Sequence, residues 1–293
     1  MLLTSPIFDI LMIIIEILAG LTPALTKVVD TTTENKTFIR LAIFLTIALL
    51  TASNRDLKTV SEFSFDNFIR FAILGSISFI IISCTQNGLK ELPVETNLVI
   101  QQSFPVISTI IAYNILQRHQ PFEYVPLFIC AYILMIFVLR PKPHHIKKLN
   151  SLPYEKKYTK YKAFFGLLLS SFLSCILYLI FRLNIESFET GVIRMNMGAF
   201  IIIIGYFMYQ KMLPDTNIMN WLKLIGINLG FVYSLTKLRL FMRNSVSEVH
   251  YAIFVFLGTS IAFLLSEIHP IFKRKALSDF EKSVQKTVEY HLG

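Results

Sequence analysis

Glu16 is an acid set inside an apolar run, with Ile13, Ile14 and Ile15 before it and Ile17 after it. An ionised carboxylate in hydrocarbon costs on the order of 3 kcal/mol on insertion scales. The side chain must therefore face a cavity, meet a cation or keep its proton. Two readings follow: a carboxylate that couples transport to a proton or cation, or a neutral carboxyl bonded to a neighbouring helix. A second constellation joins Asn97, Gln101, Pro105 and Ser108, whose spacing lays two amides, a hydroxyl and a proline ring on one helical face. Pro105 lacks an N–H and so frees a backbone carbonyl that a solute can use. Asn196, Asn228 and His250 are further polar interruptions of apolar runs. Each either lines the same cavity or ties one helix to another, and His250 has the added option of relaying protons.

These residue types bind and pass a small polar solute; nothing among them breaks bonds. The chain contains no G-x-x-x-x-G-K-[ST] run to cradle a nucleotide and neither H-E-x-x-H nor G-x-S-x-G. No catalytic residue, metal or cofactor is expected, and the chain is not expected to be an enzyme. The adjacent His144 and His145 lack chelating geometry without further ligands and read as part of a solvated loop. Lys27, Arg40, Arg182 and Arg194 sit near the ends of apolar runs. They either snorkel to head groups or, as a pair contributed by two halves, recognise an anionic group such as phosphate or carboxylate. Glu95 and Glu248, at the mouths of two runs, suit helix N-termini as caps or gates.

The elements that must carry these groups are nine apolar runs, at 7–29, 37–53, 66–86, 95–115, 122–140, 163–182, 190–209, 219–236 and 249–267. About 20 apolar residues wound as helix match the hydrocarbon thickness of a bilayer. Backbone polar groups find no water there, so each run must close its own hydrogen bonds as helix. Hydrophobic residues make up 54% of the 293 and charged residues 16%, with a mean hydropathy of +0.59. The predicted class is an all-α, polytopic membrane bundle of about nine transmembrane helices. The net charge of +9 is spread between the runs, which points to anionic lipid head groups as partner rather than nucleic acid. Cys84, Cys130 and Cys175 all fall inside runs and are expected as buried thiols. The first run is too long for the core of a signal peptide and is expected to stay as a mature helix.

The second part of the chain echoes the first. Arg194 follows Arg40 at an offset of 154 (194 − 40), and Glu248 follows Glu95 at 153 (248 − 95). Gly258 answers Pro105 at 153 (258 − 105), and Arg182 answers Lys27 at 155 (182 − 27). Five runs separate equivalent positions, so the halves must insert in opposite senses, as in secondary transporters whose solute site lies at the repeat interface.

Three stretches resemble the EamA-like branch of the drug/metabolite transporter (DMT) superfamily. They are Gly20-Leu21-Thr22-Pro23-Ala24-Leu25-Thr26-Lys27, Phe38-Ile39-Arg40-Leu41-Ala42, and Leu89-Lys90-Glu91-Leu92-Pro93-Val94-Glu95-Thr96-Asn97 leading to the mid-helix Pro105. The resemblance covers residues 10–140 and, more weakly, 162–267. It implies a ten-helix plan of two inverted repeats that moves small metabolites. Ala19 stands where the family usually has Trp, and Glu267-Ile268-His269-Pro270 leads into a charged tail where a tenth helix belongs. The resulting division is a first repeat over 1–140 with five helices and a basic linker over 141–162. A shortened second repeat of four helices over 163–267 and a basic amphipathic tail over 268–293 complete it. The tail's Ser278 and Glu281 have the spacing of a capping box.

With nine crossings, nine of the 28 basic residues fall on the face where the chain starts and 19 (28 − 9) on the other. The positive-inside rule then puts linker and tail in the cytoplasm, opposite to the family's usual plan. The functional expectation is a secondary transporter moving a small metabolite by alternating access, with the cell membrane as its expected home. Its alternatives are exchange of phosphorylated or nucleotide-linked sugars, or a non-transporting membrane scaffold that binds a partner.

Overall fold

The computed structural model describes residues 6–62, 64–114, 122–139, 153–183, 185, 188–214, 217–233, 238 and 246–268. The predicted tail from 269 onward and the linker up to 152 lie outside these residues. Among the described residues there is helix and no strand. The elements are α1 (Pro6–Val28), α2 (Thr33–Thr51), α3 (Asn54–Ser61), α4 (Phe65–Glu91), α5 (Val94–Gln101), α6 (Ser103–Asn114) and α7 (Val125–Val138). They continue with α8 (Tyr154–Arg182), α9 (Phe188–Gln210), α10 (Ile218–Gly226), a π-helical stretch over Ile227–Tyr233, and α11 (Glu248–Ile268).

Five segments are long and apolar enough to cross a membrane: Ile7–Val28, Phe65–Glu91, Tyr154–Phe181, Glu189–Gln210 and Glu248–Leu265. A sixth is formed if α2 and α3, bent by 119° at their junction, are taken together. At about 1.5 Å per residue, 22 residues reach about 33 Å, enough for the hydrocarbon core. Large apolar side chains such as Leu50, Phe65, Phe137 and Phe165 point outward, a surface that only lipid accommodates at this scale. The chain is an α-helical integral membrane protein.

Local sequence sets the helix ends. The Thr32 hydroxyl accepts from the Asn35 N–H to start α2, and Ser53 with Asp56 forms a reciprocal capping box at α3. Asn217 accepts from two N–H groups at the start of α10. α8 begins at Tyr154, after Pro153, with Glu155 in its first turn. It thus runs through residues that prolines and lysines assign to the linker: Pro before the first turn is compatible with helix, and an acid there meets the positive end of the dipole. The expected run 95–115 is divided between α5 and α6 at Gln102. Pro105, third residue of α6, clashes with the carbonyl four residues back, so a continuous helix cannot pass this point.

Helices pack in a fixed set of partnerships. α1 lies on α11, and α8 lies on both α5 and α6. α4 lies on α9, while α2 lies on α10 and the π-helical stretch. α4 also meets α8, α1 meets the π-helical stretch, α2 meets α9, and α6 meets α11. α11 is the most enclosed of the five long segments and fills the main apolar cluster, where Phe256 and Val249 meet Leu98, Met135 and Leu139.

Two crossings are made by glycine. A Cβ built on Gly75 would sit 2.6 Å from the Gly198 Cα, so α4 and α9 touch backbone to backbone. A Cβ on Gly258 would sit 2.4 Å from the Glu16 Cβ and 2.9 Å from its carbonyl carbon, so α11 is notched to receive α1 at the glutamate. With lipid as apolar as the helices themselves, close van der Waals approach of this kind is what holds helices together.

Candidate functional site

Glu16 is 2% exposed and meets α11 at Gly258. A carboxylate-bearing side chain is thereby held inside the crossing of α1 and α11, where neither water nor lipid head groups reach it. The apolar partners Met12, Ile15, Tyr251, Phe254 and Val255 form the adjoining cluster. Both readings of Glu16 given above are compatible with this placement.

The polar face of the fourth run lies on both sides of its break. Asn97 is completely buried on α5, and its Oδ1 accepts from the Gln101 Nε2 at 2.6 Å. The Asn97 Nδ2 has no hydrogen-bond partner among the described residues. Pro105 is buried, and its carbonyl accepts from Ser108 at 3.0 Å and Thr109 at 2.8 Å. One turn before the break, the Ile100 carbonyl accepts from Ser171 of α8 at 3.2 Å. Gln102, at the break itself, is buried.

The other predicted polar residues are held by their own surroundings. Asn196 and Asn228 each donate to the carbonyl four residues back, at Val192 (2.9 Å) and Leu224 (2.8 Å). His250 stacks on Tyr124 with ring centroids 5.0 Å apart and tilts against Phe254 at 4.8 Å. The structure therefore brings Asn97 and Gln101 together, places Ser108 beyond the break on the same run, and records Asn196, Asn228 and His250 in local contacts of their own helices and of Tyr124.

The four span-end cations divide sharply. Lys27 donates to the Leu92 carbonyl at 3.3 Å and so closes the end of α4. Arg194, 3% exposed, donates to the Asn67 Oδ1, which ties α9 to the start of α4. The Arg40 guanidinium stands 5.6 Å from the Phe44 ring, and its Nε is buried with no hydrogen-bond partner among the described residues. Arg182 closes α8 at its backbone.

Three functional candidates escape the sequence reading. Gln86 on α4 is buried, and its Oε1 has no hydrogen-bond partner among the described residues. Tyr178 donates its hydroxyl to the Glu248 Oε1 at 2.8 Å, turning an expected cap into a buried link between α8 and α11. Asn67 accepts from Arg194 and donates to the Thr59 and Glu62 carbonyls, joining α9 to the α3–α4 connection. An amide inside an apolar run was the available signal for Gln86; nothing local singles out Tyr178. A buried polar atom left unpaired costs about 1–3 kcal/mol, so unpaired atoms on Arg40, Gln86 and Asn97 each require a reason. Among the described residues no cluster of His, Cys, Asp and Glu is disposed to hold a metal. The three cysteines are free thiols, but only Cys175 is buried as expected; Cys84 is half-buried and Cys130 is exposed, because an apolar run in a membrane helix has an outward face as well as an inward one. No protein-family model matches the chain, and no curated protein is significantly similar to it.

Proposed function

We propose that the chain is a secondary transporter of a small polar metabolite, built as nine crossings in two oppositely inserted halves on the EamA-like plan. In this reading α1 corresponds to α8, α2 to α9, α4 to α10 with its π-helical stretch, and α5 with α6 to α11. The observation that carries it is the packing. Exchanging the halves turns the α1–α11 partnership into that of α8 with α5 and α6, and turns α4–α9 into α2 with α10. It also turns α4–α8 into α1 with the π-helical stretch, while α2–α9 and α6–α11 map onto themselves. Unrelated helices have no reason to choose partners in this way.

Side-to-side contacts give independent support. Nine crossings assign every helix end to one of two faces, and the interhelical contacts join ends on the same face. Arg194 to Asn67, Arg70 to the Ile185 carbonyl, and Tyr178 to Glu248 belong to the face where α1 begins. Lys27 to Leu92, Asn220 to the Asp30 carbonyl, and Phe38 against Trp221 belong to the other. The discontinuous α5–α6 helix and the π-helical stretch supply the irregular backbone that solute sites in carriers use.

The two halves rock about the glycine crossing of α4 and α9, and the broken α5–α6 helix with Asn97 and Gln101 meets the solute. Glu16, in the α1–α11 crossing, is the coupling residue. Counterflow in proteoliposomes, screened over small polar metabolites with and without a proton gradient, tests this reading. Saturable, gradient-stimulated uptake is expected, and Glu16→Gln should abolish the stimulation while leaving counterflow. Absence of flux across the whole screen, from protein that inserts and stays monodisperse, would reject the carrier assignment.

A further inference from the structure

We infer that Arg40, Gln86 and Asn97, all in the first half, take a small solute carrying an oxyanion beside a hydroxyl or amine. This rests on the carrier reading and goes beyond it by assigning the recognising groups and the chemistry they accept. The starting observation is that all three unpartnered buried polar atoms recorded among the described residues, Arg40 Nε, Gln86 Oε1 and Asn97 Nδ2, lie in one half. Two of their counterparts across the repeat are tied off, and that of Gln86 lies outside the described residues. Arg194, which answers Arg40, is bonded to Asn67. His250, which takes the place of Asn97, is stacked on Tyr124.

The three groups share a level. Arg40 is eighth from the start of α2, Gln86 sixth from the end of α4, and Asn97 fourth from the start of α5. At 1.5 Å per residue these are about 5–10 Å inside their helix ends. The ends themselves are joined, because Lys27 at the close of α1 donates to Leu92 in the α4–α5 connection. Register brings the first two groups closer still. Leu41 and Ile82 pack in one cluster, and α2 and α4 run antiparallel in the nine-crossing plan. Gln86, one turn on from Ile82, shares the α4 face that packs against Leu41, the neighbour of Arg40 in sequence. α5 packs on both α4 and α1.

The chemistry of the vacant valences defines the ligand. Arg40 and Asn97 offer donors, which an oxyanion accepts; a guanidinium is the side chain best matched to carboxylate or phosphate. Gln86 offers an acceptor, which demands a hydroxyl or amine on the same solute. The buried Glu95 has interactions of its own. The guanidinium of Arg40 is the positive charge this assignment offers the solute. A neutral sugar or an organic cation leaves the guanidinium unanswered.

Purified full-length chain in detergent, heated in the presence of glycerate, glycerol 3-phosphate or glycerol, gives the test. The melting temperature should rise in a saturable way with glycerate, marking a carboxylate site, or with glycerol 3-phosphate, marking a phosphate site, and stay unmoved by glycerol. Arg40→Gln, Gln86→Met and Asn97→Leu should each weaken the apparent affinity about ten- to hundredfold, as expected for loss of a hydrogen bond to a charged group. The unliganded melting temperatures of Arg40→Gln and Gln86→Met should remain at or above wild type, because each removes an unpaired buried atom, whereas Asn97→Leu also loses the bond from Gln101. Arg194→Lys should keep wild-type affinity. The proposal is overturned if neither oxyanion shifts the melt, if glycerol shifts it equally, or if Arg40→Gln binds like wild type. Counterflow of a neutral solute by the same preparation would then preserve the carrier reading while removing this one.

Discussion

At the crossing of α4 and α9 two glycines face each other, and each backbone fills the space the other leaves. At the crossing of α1 and α11, Gly258 accepts the stem of Glu16, and Gly20 of α1 packs on Ala262. Both crossings pair the two halves, and both lie about ten residues in from helix ends on one face. The first contains no titratable group and has no way to respond to a proton. The second buries a carboxyl in the seam, so its packing depends on what that carboxyl binds. In the proposed carrier one contact stays and one changes, and the two crossings would divide those roles.

The comparison breaks most readily at the dry crossing. Gly75→Ala puts a Cβ against the Gly198 backbone, which cannot yield without separating α4 from α9. Its loss of stability is expected at about 3 kcal/mol, the upper end for overpacking, read as the midpoint of denaturant unfolding in mixed micelles. A loss below about 1 kcal/mol would mean that the crossing is looser than the 2.6 Å approach implies.

A smaller effect separates the two arginines. Asn67→Leu removes the hydrogen bond from the buried Arg194, together with those Asn67 gives to the Thr59 and Glu62 carbonyls, and should cost about 2 kcal/mol, as for hydrogen bonds to charged groups. Arg40→Gln removes a cation whose Nε has no hydrogen-bond partner and should change stability by less than about 0.5 kcal/mol. Equal costs for the two would erase the distinction between a structural clasp and a recognition group. The difference also predicts opposite functional outcomes: the Asn67 variant keeps its solute selectivity in counterflow, whereas the Arg40 variant loses it.

Much of this architecture is legible in the residues themselves. The described parts of the nine apolar runs lie mainly on helix, as closing backbone hydrogen bonds in lipid requires, and five segments, or six with the bent α2–α3 pair, are long and apolar enough to cross a membrane. Pro105 marks the fourth run for a break, and the break occurs at Gln102, three residues before it. Glu16 stands out as an acid among isoleucines, and it lies in an interhelical seam. What escapes the sequence is whatever depends on a partner. Whether Arg194 and Arg40 behave alike cannot be read from two similar span ends, since the answer lies in Asn67, 127 residues away along the chain. Tyr178 looks like one more aromatic residue until Glu248 is placed beside it. The π-helical stretch over Ile227–Tyr233 has no proline to announce it, and its packing on α1 and α2 arises only in the bundle. The early start of α8 is hidden by lysines that read as linker.

Opposed insertion of the two halves is the premise beneath the solute site, the rocking and the coupling, and two equivalent connections test it. Asp30 lies between α1 and α2, and Ile185 lies between α8 and α9. In protein whose Cys84, Cys130 and Cys175 have been replaced, Asp30→Cys and Ile185→Cys are each exposed to a membrane-impermeant maleimide on sealed, right-side-out membranes. One cysteine should be labelled from outside and the other only after permeabilisation. Labelling of both from the same side would contradict the inverted arrangement.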